Sequence, residues 1–250
     1  MNENSAPPSI FSAARRAAVY QRAASRQVAN PDAAKFLFED VGEDVAERLA
    51  FMQREPARAL VIGDAGGVVA DRLEASCGEV VTRGPHNLDE ERPFDDGPFD
   101  LIVNVGSLAS VNDLPGALIH YRNALASGGI FMASLIGAGS LPVLRSAMLA
   151  ADGDRPAPRV HPMIDTGAAS ALLARAGFAR HVVDSHTLKV GYRSLDRLIA
   201  DMRDHGMGST MRQAAPLLSR QGLVQAKQVF QADSPTYETF ELITLTGWKN

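Results

Sequence analysis

A repeating alternation of short apolar runs with helix-forming stretches is the feature that most narrows the fold of this chain. Ala59-Leu60-Val61-Ile62 leads straight into Gly63-Asp64-Ala65-Gly66-Gly67, and a helical stretch follows over residues 68–76. Strand-like runs at 79–82, 99–104 and 130–136 continue the series, with a helix at 114–125 and the turn Ser127-Gly128-Gly129 before the last of them. Apolar runs this short, with helices between, build a mainly parallel sheet covered on both faces, so the expected class is α/β. Helices near 140–150 and 166–176 come next, with Gly177 at a C′ position. A strand at 181–190, helices near 194–204 and 219–231, and a last strand at 239–246 beyond the break at Pro235 complete the order. Residues 83–98 are too few to hold both a crossover helix and another strand, so one strand-helix pair is expected to be pruned away.

The chain before the sheet has a different texture. Residues 1–9 are polar with two prolines and read as a flexible tail. From Ile10 to about Val28 an Ala-rich helix is expected, its Arg15, Arg16, Arg22 and Arg26 reading either as a face for an anionic ligand or partner or, the favoured reading, as a solvated face on a lid or packing helix. Asn30-Pro31-Asp32 breaks it, and Phe36, Leu37, Val41, Val45, Leu49 and Met52 recur at the spacing of a second, amphipathic helix. The expected organisation is a tail (1–9), a helical cap (10–55) and an α/β domain (56–250), the last two forming one structural unit.

Composition removes several functions. The 25 Lys and Arg against 29 Asp and Glu give a net charge of -4, without the basic excess that a phosphate backbone demands, so no nucleic-acid partner is expected. Cys77 is the single cysteine and the six histidines show no paired ligand spacing, so neither a disulfide nor a metal site is expected. No apolar stretch reaches the length of a membrane span and the start lacks a secretory core, which gives the expectation of a soluble, cytoplasmic protein.

The glycine turn at 63–67 ends a strand and opens a helix, the place where backbone N–H groups approach an anionic or nucleotide ligand. It is neither G-x-G-x-x-G nor a Walker loop. A nucleoside also needs an acid near the end of the next strand to accept from the ribose hydroxyls, and that strand ends in Arg83-Gly84. No G-x-S-x-G elbow is present, Asp95 and Asp96 read as a turn beside Gly97-Pro98, and His161 is a lone histidine with no visible partner. Met202, Met207 and Met211 read as core or lid.

The ordered series Phe99-Asp100-Leu101-Ile102-Val103-Asn104, Ser107-Leu108, Val111-Asn112-Asp113-Leu114-Pro115-Gly116-Ala117-Leu118 and Ser127-Gly128-Gly129 resembles the central half of a class I S-adenosylmethionine (SAM) methyltransferase. Pro158-Arg159-Val160-His161-Pro162, Arg175-Ala176-Gly177-Phe178 and Thr246-Gly247-Trp248 narrow the resemblance to the methyltransferase-like assembly factors of respiratory complex I, relatives of the biotin-synthesis malonyl-carrier methyltransferases. The resemblance implies a Rossmann-like sheet whose C-terminal strand is antiparallel. It also implies SAM as cofactor in the crevice beyond Ile62, Asn104 and Ile136. The departures gather at that crevice. Val61 and Ala65 stand where the family has an aspartate and a glycine, Ala109-Ser110 replaces a His-Trp pair, and Gly137 to Arg145 loses both acids of the corresponding family stretch.

Two readings follow from the resemblance. In the first, the chain is an enzyme that transfers a methyl group to, or otherwise modifies an arginine of, a protein acceptor. Gly63, Asp64, Gly66, Gly67, Asp89, Asn104 and Gly106 then touch the cofactor, Arg145 pairs with an anion of the acceptor, and His161 moves a proton. In the second, it is a pseudoenzyme that keeps the fold, binds SAM weakly or not at all, and works as an assembly or binding partner of a complex I subunit or of a related methyltransferase-like chain.

Overall fold

The computed structural model describes residues 9–94, 96–233 and 235–250. The expected tail therefore lies, over residues 1–8, outside the described residues, as does Asp95. Two helices lead the chain, α1 (Ala13–Ala29) and α2 (Phe36–Phe51). The alternating part follows as β1 (Arg58–Ile62), α3 (Val68–Glu74), β2 (Glu79–Arg83), β3 (Phe99–Val105), α4 (Leu114–Ala124) and β4 (Leu125–Ile136). It closes with α5 (Pro142–Asp152), α6 (Thr166–Arg175), β5 (Arg180–Tyr192), α7 (Leu195–Asp204), α8 (Arg220–Phe230) and β6 (Thr236–Trp248).

Local chemistry sets many of these boundaries. Ser12, Asp113, Asp165, Ser194 and Ser219 each accept a backbone N–H of the helix they open, the usual N-cap device. Gly177 stands just past α6 with φ 81°, the left-handed position that a side chain resists. The strand order is β2-β1-β3-β4-β6-β5. Pairs β1–β2, β1–β3 and β3–β4 are parallel, and β6 runs antiparallel to both β4 and β5. Among the described residues of 83–98 only Arg83, the end of β2, belongs to a helix or strand, so the sheet ends at β2 where the pruned pair was expected. The last two strands are longer than their apolar runs, because β5 and β6 pair in continuous register from Arg180↔Trp248 to Tyr192↔Thr236.

Both faces of the sheet are covered. Leu37, Phe38, Val41, Val45 and Leu49 of α2 join Val61, Val103 and Met132 on one face. Tyr121 of α4 and Leu173 of α6 join Ile62, Ile102 and Phe131 on the other, with Tyr121, Phe131 and Phe178 stacked in series. No helix among the described residues is long and apolar enough to cross a membrane.

The N-terminal segment crosses the carboxyl ends of the central strands. Ser12 donates its N–H to Thr210 O (2.9 Å), Arg212 donates to Ile10 O (2.8 Å), and the Phe11 N–H reaches Asn112 Oδ1 (2.8 Å). Farther along α1, Arg26 Nε holds Asp204 Oδ1 at 2.6 Å, and Gln27 Nε2 donates to Asp204 O at 2.9 Å. The helix is thus tied to α7 and to the loop after it.

Candidate functional site

Between α1, α2, the loop 205–210 and the strand ends lies a cavity of about 180 Å3 that opens in part to solvent. It sits at the carboxyl end of the sheet, where β1 and β3 lead their chains in opposite directions, the usual ligand position in an open α/β sheet. Gly63 and Gly106 form its floor, each with positive φ (86° and 74°). A side chain at Gly63 would put its Cβ 2.6 Å from Val105 O, so only glycine fits between the two strand ends. Val61 is fully buried in the sheet, whereas Ala65 lines the cavity.

A buried polar cluster supports this floor. The Glu90 carboxylate, 0 % exposed, takes Arg16 of α1 on Oε2 and accepts from Tyr121 Oη (2.5 Å), Ser107 Oγ (2.7 Å) and Asn104 Nδ2 (3.0 Å) on Oε1. Arg16 also donates from Nε to Ser110 Oγ at 3.1 Å. Burial, then the Glu90 charge, holds the Tyr121 hydroxyl well above its ordinary pKa, so it remains a donor. Here the structure corrects the solvated face read for α1, because Arg16 is only 6 % exposed and its charge is matched inside the protein. The signal was in the sequence: Arg16, Val19, Ala23 and Gln27 recur at helical spacing and form the buried side of α1.

The residues singled out from the sequence fall in different places. Gly63, Gly106 and His161 line the cavity. Asn104 lies beneath it, in the Glu90 cluster. Asp64 is buried and turned to the helix behind, with Oδ2 accepting from Val69 N–H (2.8 Å) and Ala70 N–H (3.0 Å). Burial raises its pKa against the lowering effect of those bonds. Gly66 packs on Phe38 of α2, and Gly67 turns with φ 72° into α3. Asp89 is exposed and pairs with Arg92 at 3.2 Å. Arg145 is half-buried behind the wall, donating to Ser140 O (3.1 Å) and to Met163 Sδ (3.1 Å). His161 accepts the Thr210 N–H on Nε2 at 2.9 Å, beside the Phe11 ring, and burial lowers its pKa. The cavity therefore gathers three of the nine, with Asn104 directly under them.

The remaining wall was not foreseen as a site. Tyr20 of α1 lies over Gly84, at the end of β2, where a Cβ would meet its ring at 2.4 Å, and it stacks on His86 with centroids 5.3 Å apart. Leu37, Leu141, Met163, Met202 and Met207 supply apolar surface. His205 donates from Nδ1 to Asp201 O (2.8 Å) and accepts the Leu37 N–H on Nε2 (3.2 Å), and burial pushes its pKa down to about 4.

SAM presents a ribose diol and an ammonium, donors that call for carboxylate acceptors, beside a sulfonium cation and a carboxylate of its own. Among the described residues no Asp or Glu lines the cavity. Arg83, which ends β2, is engaged by Asp96 at 2.8 Å and can only donate, while Tyr20 occupies the space over Gly84. The lining does not fit that cofactor.

Comparison with known proteins places the chain in a family. A model of the methyltransferase domain matches residues 33–183. The mouse (Mus musculus) protein named arginine-hydroxylase NDUFAF5, mitochondrial, is 29% identical over 277 residues, covering 97% of this chain and 81% of its own. The malonyl-[acyl-carrier protein] O-methyltransferase 1 of Coxiella burnetii is 27% identical over 184 residues, 66% of this chain and 62% of its own. Among solved structures, YcgJ of Bacillus subtilis superposes with a TM-score of 0.52 at 14% identity, covering 82% of this chain and 99% of its own, and so shares the fold. The [4+2]-cyclase SpnF does so with a TM-score of 0.51 at 15% identity over 98% and 99%.

Proposed function

The chain belongs to the methyltransferase-domain family, and from that premise we propose that it serves as an assembly factor for respiratory complex I that works by binding a protein partner rather than by drawing on SAM. The observation that carries this reading is the cavity at the sheet's carboxyl end, whose lining holds no carboxylate among the described residues and whose β2 end is covered by Tyr20. Similarity over 97% of the chain to a protein named for arginine hydroxylation supports a protein partner. The helical cap (10–55) and the α/β part (56–250) act in this reading as one unit, joined through Arg16 and Glu90. A cytoplasmic location belongs to the same reading.

A second reading is favoured by that same similarity: an enzyme that modifies an arginine of, or methylates, a protein acceptor. Gly63, Asp64, Gly66, Gly67, Asp89, Asn104 and Gly106 are then its cofactor residues, with Arg145 and His161 toward the acceptor.

Thermal unfolding with SAM and S-adenosylhomocysteine separates the two. A ligand at a hundred times its dissociation constant stabilises by about 2.7 kcal/mol, which a melting curve resolves. A flat response to millimolar ligand is expected, and a saturable upward shift would replace the first reading by the second. Deleting the gene should in turn lower the amount of assembled complex I on native gels, and an unchanged amount would remove the assembly role.

A further inference from the structure

Charge inside the cavity is neutralised by the chain itself. Arg16 is matched by Glu90, and Arg159 grips Asp152 with Nε at 2.9 Å from both carboxylate oxygens. His161 and His205 each accept a backbone N–H on Nε2, at 2.9 and 3.2 Å, an arrangement that only an unprotonated nitrogen can make. With no acid in the lining, an entering ion meets no free counter-charge, and a buried charge without a partner is costly. Among the described lining residues, one buried polar side chain is left over, apart from Ser209, which is exposed to solvent. Ser134, at the end of β4 and 8 % exposed, lines the cavity, and its hydroxyl has no hydrogen-bond partner among the described residues.

We infer that this cavity takes an uncharged, mostly apolar small molecule carrying a single polar handle, seated against Ser134 between the methionine wall and the glycine floor. The inference rests on the reading that SAM is not the occupant. Met163, Met202 and Met207 offer unbranched, polarisable side chains that adapt to an apolar guest, and Ser134 either donates to a carbonyl or accepts from a hydroxyl.

The test uses the full chain and the neutral dye N-phenyl-1-naphthylamine, whose fluorescence rises on entering an apolar site. One saturable site per chain is expected, emptied by 1-decanol and at least tenfold less well by decanoate or decylammonium. Ala109→Phe, which fills the cavity from the segment before α4, should weaken dye binding at least tenfold with little change in melting temperature. Ser134→Ala should weaken decanol about fivefold, the scale of one hydrogen bond. Equal displacement by the charged decyl compounds, no saturable dye binding, or full dye binding by a folded Ala109→Phe protein would each overturn the inference. Should Ala109→Phe fail to fold, the displacement series on the unaltered protein decides. SAM is included as a competitor. Displacement of the dye by SAM overturns the SAM-independent reading itself, whereas failure of the dye with SAM inert overturns only the class of ligand assigned here.

Discussion

Replacing Arg16 by methionine isolates what holds α1 over the sheet. Glu90 Oε1 keeps its donors from Tyr121, Ser107 and Asn104, but among the described residues Oε2 has Arg16 alone. The substitution thus leaves one oxygen of a fully buried carboxylate without a side-chain donor among the described residues. Breaking one side of a buried ion pair costs about 3–5 kcal/mol, and methionine retains most of the apolar stem, so nearly all of that cost belongs to the stranded charge. Urea unfolding followed by far-ultraviolet circular dichroism should show a lower midpoint with an unchanged slope. Adding Glu90→Gln removes the stranded charge, and the double variant should regain about 2 kcal/mol or more over Arg16→Met alone, since close buried pairs couple by roughly 0.5–3 kcal/mol. A single-variant loss below 1 kcal/mol, or strictly additive losses in the double variant, would refute the account of Glu90 as the anchor of α1.

Three further outcomes are expected. His205 has a folded pKa of about 4, below the ordinary histidine value of about 6.5, so the unfolded chain takes up the proton first. Its neutral form is fully accommodated above pH 6.5, and stability falls as pH drops from about 6.5 to 4, by a total of about 3 kcal/mol relative to His205→Gln; parallel stability curves for the two proteins over that window would contradict this. Gly63→Ala should cost about 1–3 kcal/mol or more, because φ is 86° and the new Cβ meets Val105 O, while Gly106→Ala, with φ 74° but open space around it, should cost about 1–2 kcal/mol; equal melting temperatures for the two variants would count against the close approach. Arg48, which grips both Asp184 oxygens (2.9 and 2.6 Å) and so ties α2 to β5, should lose about 1–2 kcal/mol on change to alanine, read as a shift in urea midpoint.

The elements legible in the sequence were those whose pattern is local. The strand runs at 59–62 and 99–104 and the glycine after α6 each announce themselves within a few residues, and the folded chain places them accordingly. The cavity was legible only as a position, the glycine turn, since its walls come from segments far apart in sequence. Tyr20 reaches Gly84 across 64 residues and His161 reaches Thr210 across 49, contacts that no periodicity encodes. Glu90 shows the physical limit most clearly. It stands in a polar stretch beside Asp89, Glu91 and Arg92, where composition points to solvent, and it is buried because three polar donors and one arginine converge on it from β3, the following turn, α4 and α1. Its neighbour Asp89, with a similar side chain, remains exposed because among the described residues only Arg92 and the Glu91 N–H reach it.

Asp64 carries the same argument into the site. An acid in a glycine turn at the end of the first strand is where a nucleotide ligand would be met, yet the carboxylate is committed by one oxygen to two N–H groups of α3. A helix as short as α3, seven residues, has little cooperative stability of its own, and its first turn needs that acceptor. Turning Oδ2 to a ligand would leave both N–H groups without a partner in the protein interior, a loss of about 1–3 kcal/mol for each, while Oδ1 is buried, has no partner among the described residues and does not line the cavity. A sugar hydroxyl returns about 1.5–3 kcal/mol for one hydrogen bond to a charged acceptor, so the exchange does not favour the ligand. The turn thus keeps the shape of a nucleotide-binding loop while one oxygen of its acid is held by the fold and the other is buried away from the cavity.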